Sequence, residues 1–216
     1  MLISRTQEAY NKIRDAITYG DLKPGERLVE TVICKTFNIG RTPVREAFRQ
    51  LQMEGFIDIY PEKGAVINII SIQDVQQIYD IIGVLEGFST ELVTMSIKAS
   101  DNKKLRSLHK DLKKVGQRKN YKEWLEINSL FHGYFPQMSG NPHLINIINL
   151  LRRRIYRYRF IAITIPGHIE EYIRAHEEIL EAISKKNAKG AGRAMVQHVF
   201  HVKEVLVNFL KQYPGL

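Results

Sequence analysis

The strand chemistry of the chain is confined to FIDIYPEKGAVINII, residues 56–70, where two apolar, β-branched stretches, 56–60 and 65–70, flank the turn PEKG. Three helical patterns precede this hairpin. The first covers about 5–19, with Ala9, Ile13, Ala16 and Ile17 on one face and Gly20 closing it. After the turn GDLKPGERL, a second covers about 30–37, and IGRTPVREAFRQLQMEGF supplies a third that ends at Gly55. Three helices followed by a hairpin is the order of a winged helix. From Ser71 onward the apolar spacing is helical nearly everywhere, predicting helices over about 72–97, 101–118, 121–137, 142–164, 168–185 and 190–211, with breaks at KASD, SGNP, IPGH and KKNAKG. The expected chain is therefore mainly α, with an N-terminal winged helix-turn-helix domain at 1–70 and an all-α helical bundle at 71–216. The boundary is a change of period with no flexible linker, so a close join between the two parts is expected.

Bulk properties narrow the function. With 216 residues, 44% hydrophobic and 25% charged, the chain can bury one or two sizeable cores. No apolar run reaches the roughly 18 residues of a membrane span, and MLISRTQEAY lacks the apolar centre of a signal peptide, so a cytoplasmic protein is expected. The single cysteine, Cys34, rules out an internal disulfide framework and reads as a small apolar helix residue. A net charge of +9 favours a polyanionic partner. Its distribution does not locate one, because residues 1–70 hold ten Lys/Arg against nine Asp/Glu while the remainder holds twenty-two against fourteen. Much of the excess sits in NKKLRSLHKDLKKVGQRK, a solvated helix face opposite the buried stripe Leu105, Leu108, Leu112 and Val115, and in RRRIYRYRF.

The third helical pattern carries more specific chemistry. On a helical wheel Val44, Ala47, Phe48 and Leu51 share one side, and Arg41, Arg45, Arg49 and Gln52 share the neighbouring one. Thr42 and Pro43 mark a helix entry whose unpaired N–H groups suit a phosphate. An arginine fork grips guanine O6 and N7, or a phosphate pair, through two hydrogen bonds. Arginines at four-residue spacing near a helix start are thus suited to reading a major groove, although the same spacing also occurs on an ordinary surface helix. Lys63 and Gly64, at the hairpin tip, are positioned to approach the minor groove or the backbone.

Together GDLKPGERLVE, GRTPVREAF and MEGFIDIYPEKGAVI, in order across about sixty residues, resemble the winged-helix domain of GntR-type bacterial transcription regulators. The resemblance implies that GRTPVREAF is the recognition helix and its start, which carries DNA contacts onto Arg41, Thr42 and Arg45. Gly40 departs from the family pattern, which has Ser or Thr there. That hydroxyl caps the helix and bonds a phosphate, so the contact is lost here or supplied by backbone.

The second domain resembles the all-helical FCD ligand-binding domain of the FadR branch, over roughly 72–210, through DVQQIYDIIGVLEG, NSLFH, SGNPHL, AHEEILEAI and AMVQHV. From the residues alone, Asn128 and His132 stand at i and i+4 and point the same way, while His176 and His198 lie on apolar or boundary faces of the last two helices. Three converging histidines can ligate a divalent metal with open positions left over, or can be hydrogen-bonded core residues. The resemblance favours metal, because in many members these four positions are an Asp and three His that bind zinc, nickel or a similar ion. Asn128 replaces that Asp, and a neutral carbonyl ligand holds a cation less strongly than a carboxylate does. His109, His143, His168 and His201 match no ligand position and read as surface or supporting groups.

The resemblance also implies a small-molecule effector, since members bind small carboxylates such as hydroxy acids, sugar acids or fatty acyl groups, with a metal or an arginine holding the acid. Ile82 stands where many members have an arginine, which argues against an ordinary sugar acid. Arg153 and Arg157, interleaved with Tyr156, Tyr158 and Phe160, are the candidate effector-binding cations. The implied mechanism is a homodimer that sets two recognition helices about 34 Å apart over an inverted-repeat operator, with repression the usual outcome. A metal-dependent hydrolase or lyase built on His132, His176 and His198, with Glu177 or Glu178 as base, has no HExxH pattern behind it and would not need residues 1–70. A non-specific nucleic-acid-binding protein would explain the charge but not the histidine set. No catalytic residue is expected.

Overall fold

The computed structural model describes residues 4–61 and 64–213, so Lys63 lies outside the described residues. Residues up to Ser71 and those from Ile72 onward form two compact units. In the first, α1 (Arg5–Tyr19) starts at Ser4, whose side chain accepts the Gln7 N–H, and stops at left-handed Gly20. After β1 (Arg27–Leu28), α2 (Glu30–Phe37) ends at Asn38 with φ 53°, and α3 (Arg41–Met53) follows. The wing consists of β2 (Ile57–Tyr60) and β3 (Gly64–Ile67), paired antiparallel with Tyr60 opposite Gly64 and Ile57 opposite Ile67. Ile13, Val44, Ala47, Leu51, Ile57 and Ile67 close the core beneath it.

The hairpin gains a third strand. β1 pairs antiparallel with the free edge of β3, Arg27 opposite Val66 and Leu28 opposite Ala65, giving the order β1-β3-β2. Two residues are too few to show strand alternation, so the segment reads as part of a turn.

The second unit is all helical: α4 (Ile72–Ser96), α5 (Ala99–Gln117), α6 (Tyr121–Met138), α7 (Pro142–Arg154), α8 (Tyr156–Thr164), α9 (His168–Ser184) and α10 (Ala188–Gln212). The single helix expected over 142–164 is two, because Ile155 leaves helical geometry at φ −103°, ψ 18°. Neither Pro nor Gly marks the break, and Ile155 is fully buried, so packing rather than local propensity sets the bend. The long helices α4 and α10 approach so closely that a Cβ on Gly83 would fall 2.5 Å from Phe200, and one on Gly87 2.4 Å from Val196. This contact sets Glu86 of α4 and His198 of α10 into one interior.

Candidate functional site

In the first unit the two sides of α3 separate as their spacing predicts. Val44, Ala47, Phe48 and Leu51 are buried, each side chain contributing about 1.5–3 kcal/mol of burial where it is large. Arg41, Thr42, Arg45 and Arg49 are exposed, and Pro43 is half-buried in the first turn. Gly40 occupies the N-cap and supplies no side-chain bond to the first-turn N–H groups. Arg45 donates through Nε to Glu30 at 2.7 Å, and Arg49 donates to Glu46 at 2.8 Å. A groove runs between α3 and the sheet, lined by Arg27, Glu30, Arg45, Arg49, Ile59 and Gly64 among others. Gly64 has φ +71°, and a Cβ there would lie 3.9 Å from Arg27 Nε, so the wing arginine stands close to the turn backbone. Arg27 was not legible as a groove residue because its strand was not.

In the second unit, α6, α9 and α10 bring His132, His176 and His198 together, all buried. His132 Nε2 and His198 Nε2 each lie 3.1 Å from His176 Nε2. Phe131 stacks on His176 with centroids 4.4 Å apart, which holds the ring in place. Glu86, from α4, accepts from His132 Nδ1 at 2.7 Å and from Arg152 Nε at 2.6 Å. Burial opposes ionisation of Glu86, but the Arg152 guanidinium, with His132, outweighs it and holds the carboxyl at about 2. Burial pushes the His132 imidazole down, and it pushes His176 and His198 down further, assisted by the neighbouring rings. All three histidines are therefore neutral at pH 7.

Neutrality restricts the protons. His132 donates from Nδ1 to an ionised carboxylate, so its Nε2 carries a lone pair. A single proton on His176 Nε2 would have to serve both neighbouring nitrogens, leaving His176 Nδ1 and His198 Nδ1 without partners among the described residues. A cation satisfies the three Nε2 lone pairs together. Ligands about 2.0–2.1 Å from zinc stand roughly 3.0–3.4 Å from each other, which the two 3.1 Å separations meet. The Glu86 bond to His132 is the carboxylate support usual behind a metal-bound histidine. Asn128 lines the adjoining cavity, and its Oδ1 is buried without a hydrogen-bond partner among the described residues. The donor set fits a divalent ion of the zinc or nickel type, with Asn128 as the neutral oxygen.

The cavity, of about 50 Å³, is also lined by Tyr79, Ile82, Arg152, Arg159 and Tyr172. Arg153 and Arg157 are not in its lining, so the cavity-facing cations are Arg152 and Arg159 instead. Arg152 is buried on the inner face of α7 with Leu144 and Ile148, and Arg159 is half-buried, at helical spacing between buried Ile155 and Ala162, whereas Arg153 and Arg157 fall beside these positions. An arginine on an apolar stripe was the signal that sequence spacing offered. Arg152 is consumed by Glu86. Arg159 donates to Ser129 Oγ at 3.1 Å and lies over the Tyr156 ring, with no carboxylate partner among the described residues. Burial, then repulsion from Arg152, lowers its guanidinium to about 10. Ile82 is in the lining and supplies an apolar wall. His109 is buried edge-on to His176, with ring centroids 6.3 Å apart.

The comparisons with known proteins follow the same division. Residues 5–67 match the model of bacterial regulatory proteins, gntR family, and residues 77–201 match the FCD domain. The chain is 32% identical over 207 residues to the uncharacterised HTH-type transcriptional regulator YdhC of Bacillus subtilis (strain 168), covering 94% of this chain and 91% of that protein. It is 28% identical over 199 residues to the HTH-type transcriptional repressor RspR of Escherichia coli (strain K12), covering 92% and 87%. The solved structure of E. coli McbR/YncC shares the fold with a TM-score of 0.81 at 22% identity, covering 98% of this chain and all of that one. With a winged helix matched at one end and an FCD domain across more than half its length, the chain belongs to the GntR family of DNA-binding transcriptional regulators, in the branch that carries an FCD domain.

Proposed function

We propose that this regulator binds an inverted-repeat operator as a homodimer, mainly as a repressor, and that a small organic acid held in the histidine centre controls the binding. The observation that carries the effector reading is the pairing of three convergent Nε2 atoms with Arg159, a cavity-lining cation with no carboxylate partner among the described residues. A divalent ion in that centre, when bound, supplies a Lewis-acidic anchor for one carboxylate. Arg159, in the same cavity lining, orients the acid, Glu86 fixes the ring of His132, and Ile82 with Val199 excludes water. A cavity of about 50 Å³ holds a few water-sized groups, which favours a short acid over a fatty chain.

On the DNA side Arg41, Thr42, Pro43, Arg45 and Arg49 are assigned to the recognition helix, and Lys63 and Gly64 to the wing. Dimerisation is assigned to α4, where Ile81, Val84, Phe88 and Met95 form an exposed apolar stripe at spacings of 3, 4 and 7. A second copy is the fitting partner, because a two-fold operator requires a two-fold protein. The repressor sense follows the similarity to the transcriptional repressor RspR. A cytoplasmic location fits this role, and no helix among the described residues is long and apolar enough to cross a membrane.

The test is selection of binding sites from a random duplex pool at near-physiological salt, using zinc-loaded protein, followed by a screen of short hydroxy and keto acids for release of the selected duplex. Recovery of an inverted repeat, released by one acid from wild type but not from Arg159→Gln, is the expected result. Failure to enrich any sequence with both zinc-loaded and metal-free protein would overturn the operator reading. Release that is unchanged in Arg159→Gln would overturn the effector assignment.

A further inference from the structure

We propose that His168, Glu171 and His201 form a second, surface site for a divalent transition-metal ion, separate from the buried histidine centre. Two imidazoles converge on one carboxylate oxygen: His168 Nδ1 is 2.7 Å and His201 Nε2 3.0 Å from Glu171 Oε2. His168 and Glu171 stand one turn apart at the start of α9, and His201 comes from α10. In the absence of an ion, both rings donate N–H to Glu171, and the cluster is a satisfied hydrogen-bonded triad. The same separations suit cis ligands on one ion, since bonds of about 2.0–2.2 Å place neighbouring donors roughly 3 Å apart. Moving each ring proton to the other nitrogen frees two lone pairs beside the carboxylate, with little motion of the helices.

The donor set is informative. Two imidazoles and one carboxylate form a borderline set, suited to zinc, nickel, copper or ferrous iron rather than to magnesium or calcium. Side-chain exposures of 29%, 38% and 46% leave the cluster open, so an ion there exchanges with solvent and keeps positions for water. The three histidines of the other set are all buried by comparison. One aromatic ring lies between the two centres: Tyr172 is 6.2 Å from the His168 ring, 6.3 Å from His201 and 6.0 Å from His198. An ion at the surface clamps the start of α9 to α10, the same two helices that carry His176 and His198. Free metal concentration thereby becomes a second input to the helix pair behind the effector cavity.

The inference rests on the surface geometry and is independent of metal in the buried centre. Full-length protein is stripped with chelator and dialysed against zinc chloride over a range of free concentrations, and bound zinc is counted for wild type, His201→Ala, Glu171→Gln and His176→Ala, with circular dichroism confirming the helical fold of each. Wild type is expected to take two ions per chain, one tightly and one more weakly. His201→Ala and Glu171→Gln should each lose the weaker ion and keep the tight one, whereas His176→Ala should lose the tight one. A single ion that survives in His176→Ala but is lost in His201→Ala would still support the surface site while removing the buried one. Zinc stoichiometry unchanged in both His201→Ala and Glu171→Gln would overturn the proposal.

Discussion

Arg45 donates to Glu30 through Nε alone, which leaves its terminal N–H groups for a guanine edge. A two-bond base contact made by those groups discriminates by about 1–3 kcal/mol. Arg45→Ala should therefore weaken operator binding about 5- to 150-fold and leave an unrelated duplex nearly unaffected, as read by fluorescence anisotropy on both. Equal losses on the two duplexes would place Arg45 on phosphate. Within the bundle, Glu86→Gln leaves Arg152 buried without its counter-charge and His132 without an ionised acceptor. The expected cost is about 3–5 kcal/mol in chemical unfolding, with zinc affinity reduced about 10- to 100-fold in the folded fraction. The histidines were legible because a polar ring on an apolar stripe stands out. Glu86 was not, since one carboxylate within DVQQIYDIIGVLEG looks like any solvated helix residue until Arg152, sixty-six positions later, arrives beside it.

Helix periodicity exposed most of the elements, including the three before the wing, because each has an apolar face set by its own residues. The break at Ile155 and the strand Arg27–Leu28 were hidden for a shared reason: each depends on what packs against it from elsewhere in the chain. The approach of α4 to α10 is of the same kind. A Cβ on Gly87 would stand 2.4 Å from Val196 Cγ2 and 3.0 Å from the Gly192 carbonyl, and neither a branched side chain nor backbone yields cheaply. Gly87→Ala should destabilise the bundle by about 1–3 kcal/mol, despite the better helix propensity of alanine. Because Gly87 adjoins Glu86, the same change should shift the spacing between Glu86 and the His198 helix. A loss of zinc affinity accompanying the fall in thermal midpoint would show that this contact holds the centre together. An unchanged midpoint would mean that the two helices part without cost.

At the scale of the molecule, the four buried histidines make stability depend on pH in a direction fixed by their environment. Burial lowers His109, His132, His176 and His198 below the ordinary imidazole value near 6.5, so the unfolded chain binds more protons than the folded one once pH falls below that value. Each extra proton on the unfolded side removes about 1.4 kcal/mol per pH unit, so with three or four such groups the slope approaches roughly 4–5 kcal/mol per unit. Glu86 adds a second loss at lower pH, from the ordinary carboxylate value near 4.5 down toward about 2. The slope fades above pH 6.5 as the unfolded imidazoles lose their protons. Trp124, the single tryptophan, is buried in the second unit and its ring lies 6.4 Å from His176, so its fluorescence follows the bundle rather than the winged helix. Urea unfolding of metal-free protein, followed at Trp124, should give nearly equal midpoints at pH 8 and 7 and a steep decline from pH 6.5 to 5.5. Zinc should raise the midpoint at pH 7, through about 2.7 kcal/mol of added stability at a hundredfold excess over its dissociation constant, and lose that effect as protons compete for the same nitrogens. A midpoint that stays level from pH 7 to 5.5 would mean that these rings are protonated or solvated in the folded protein, which a closed metal-binding centre does not allow.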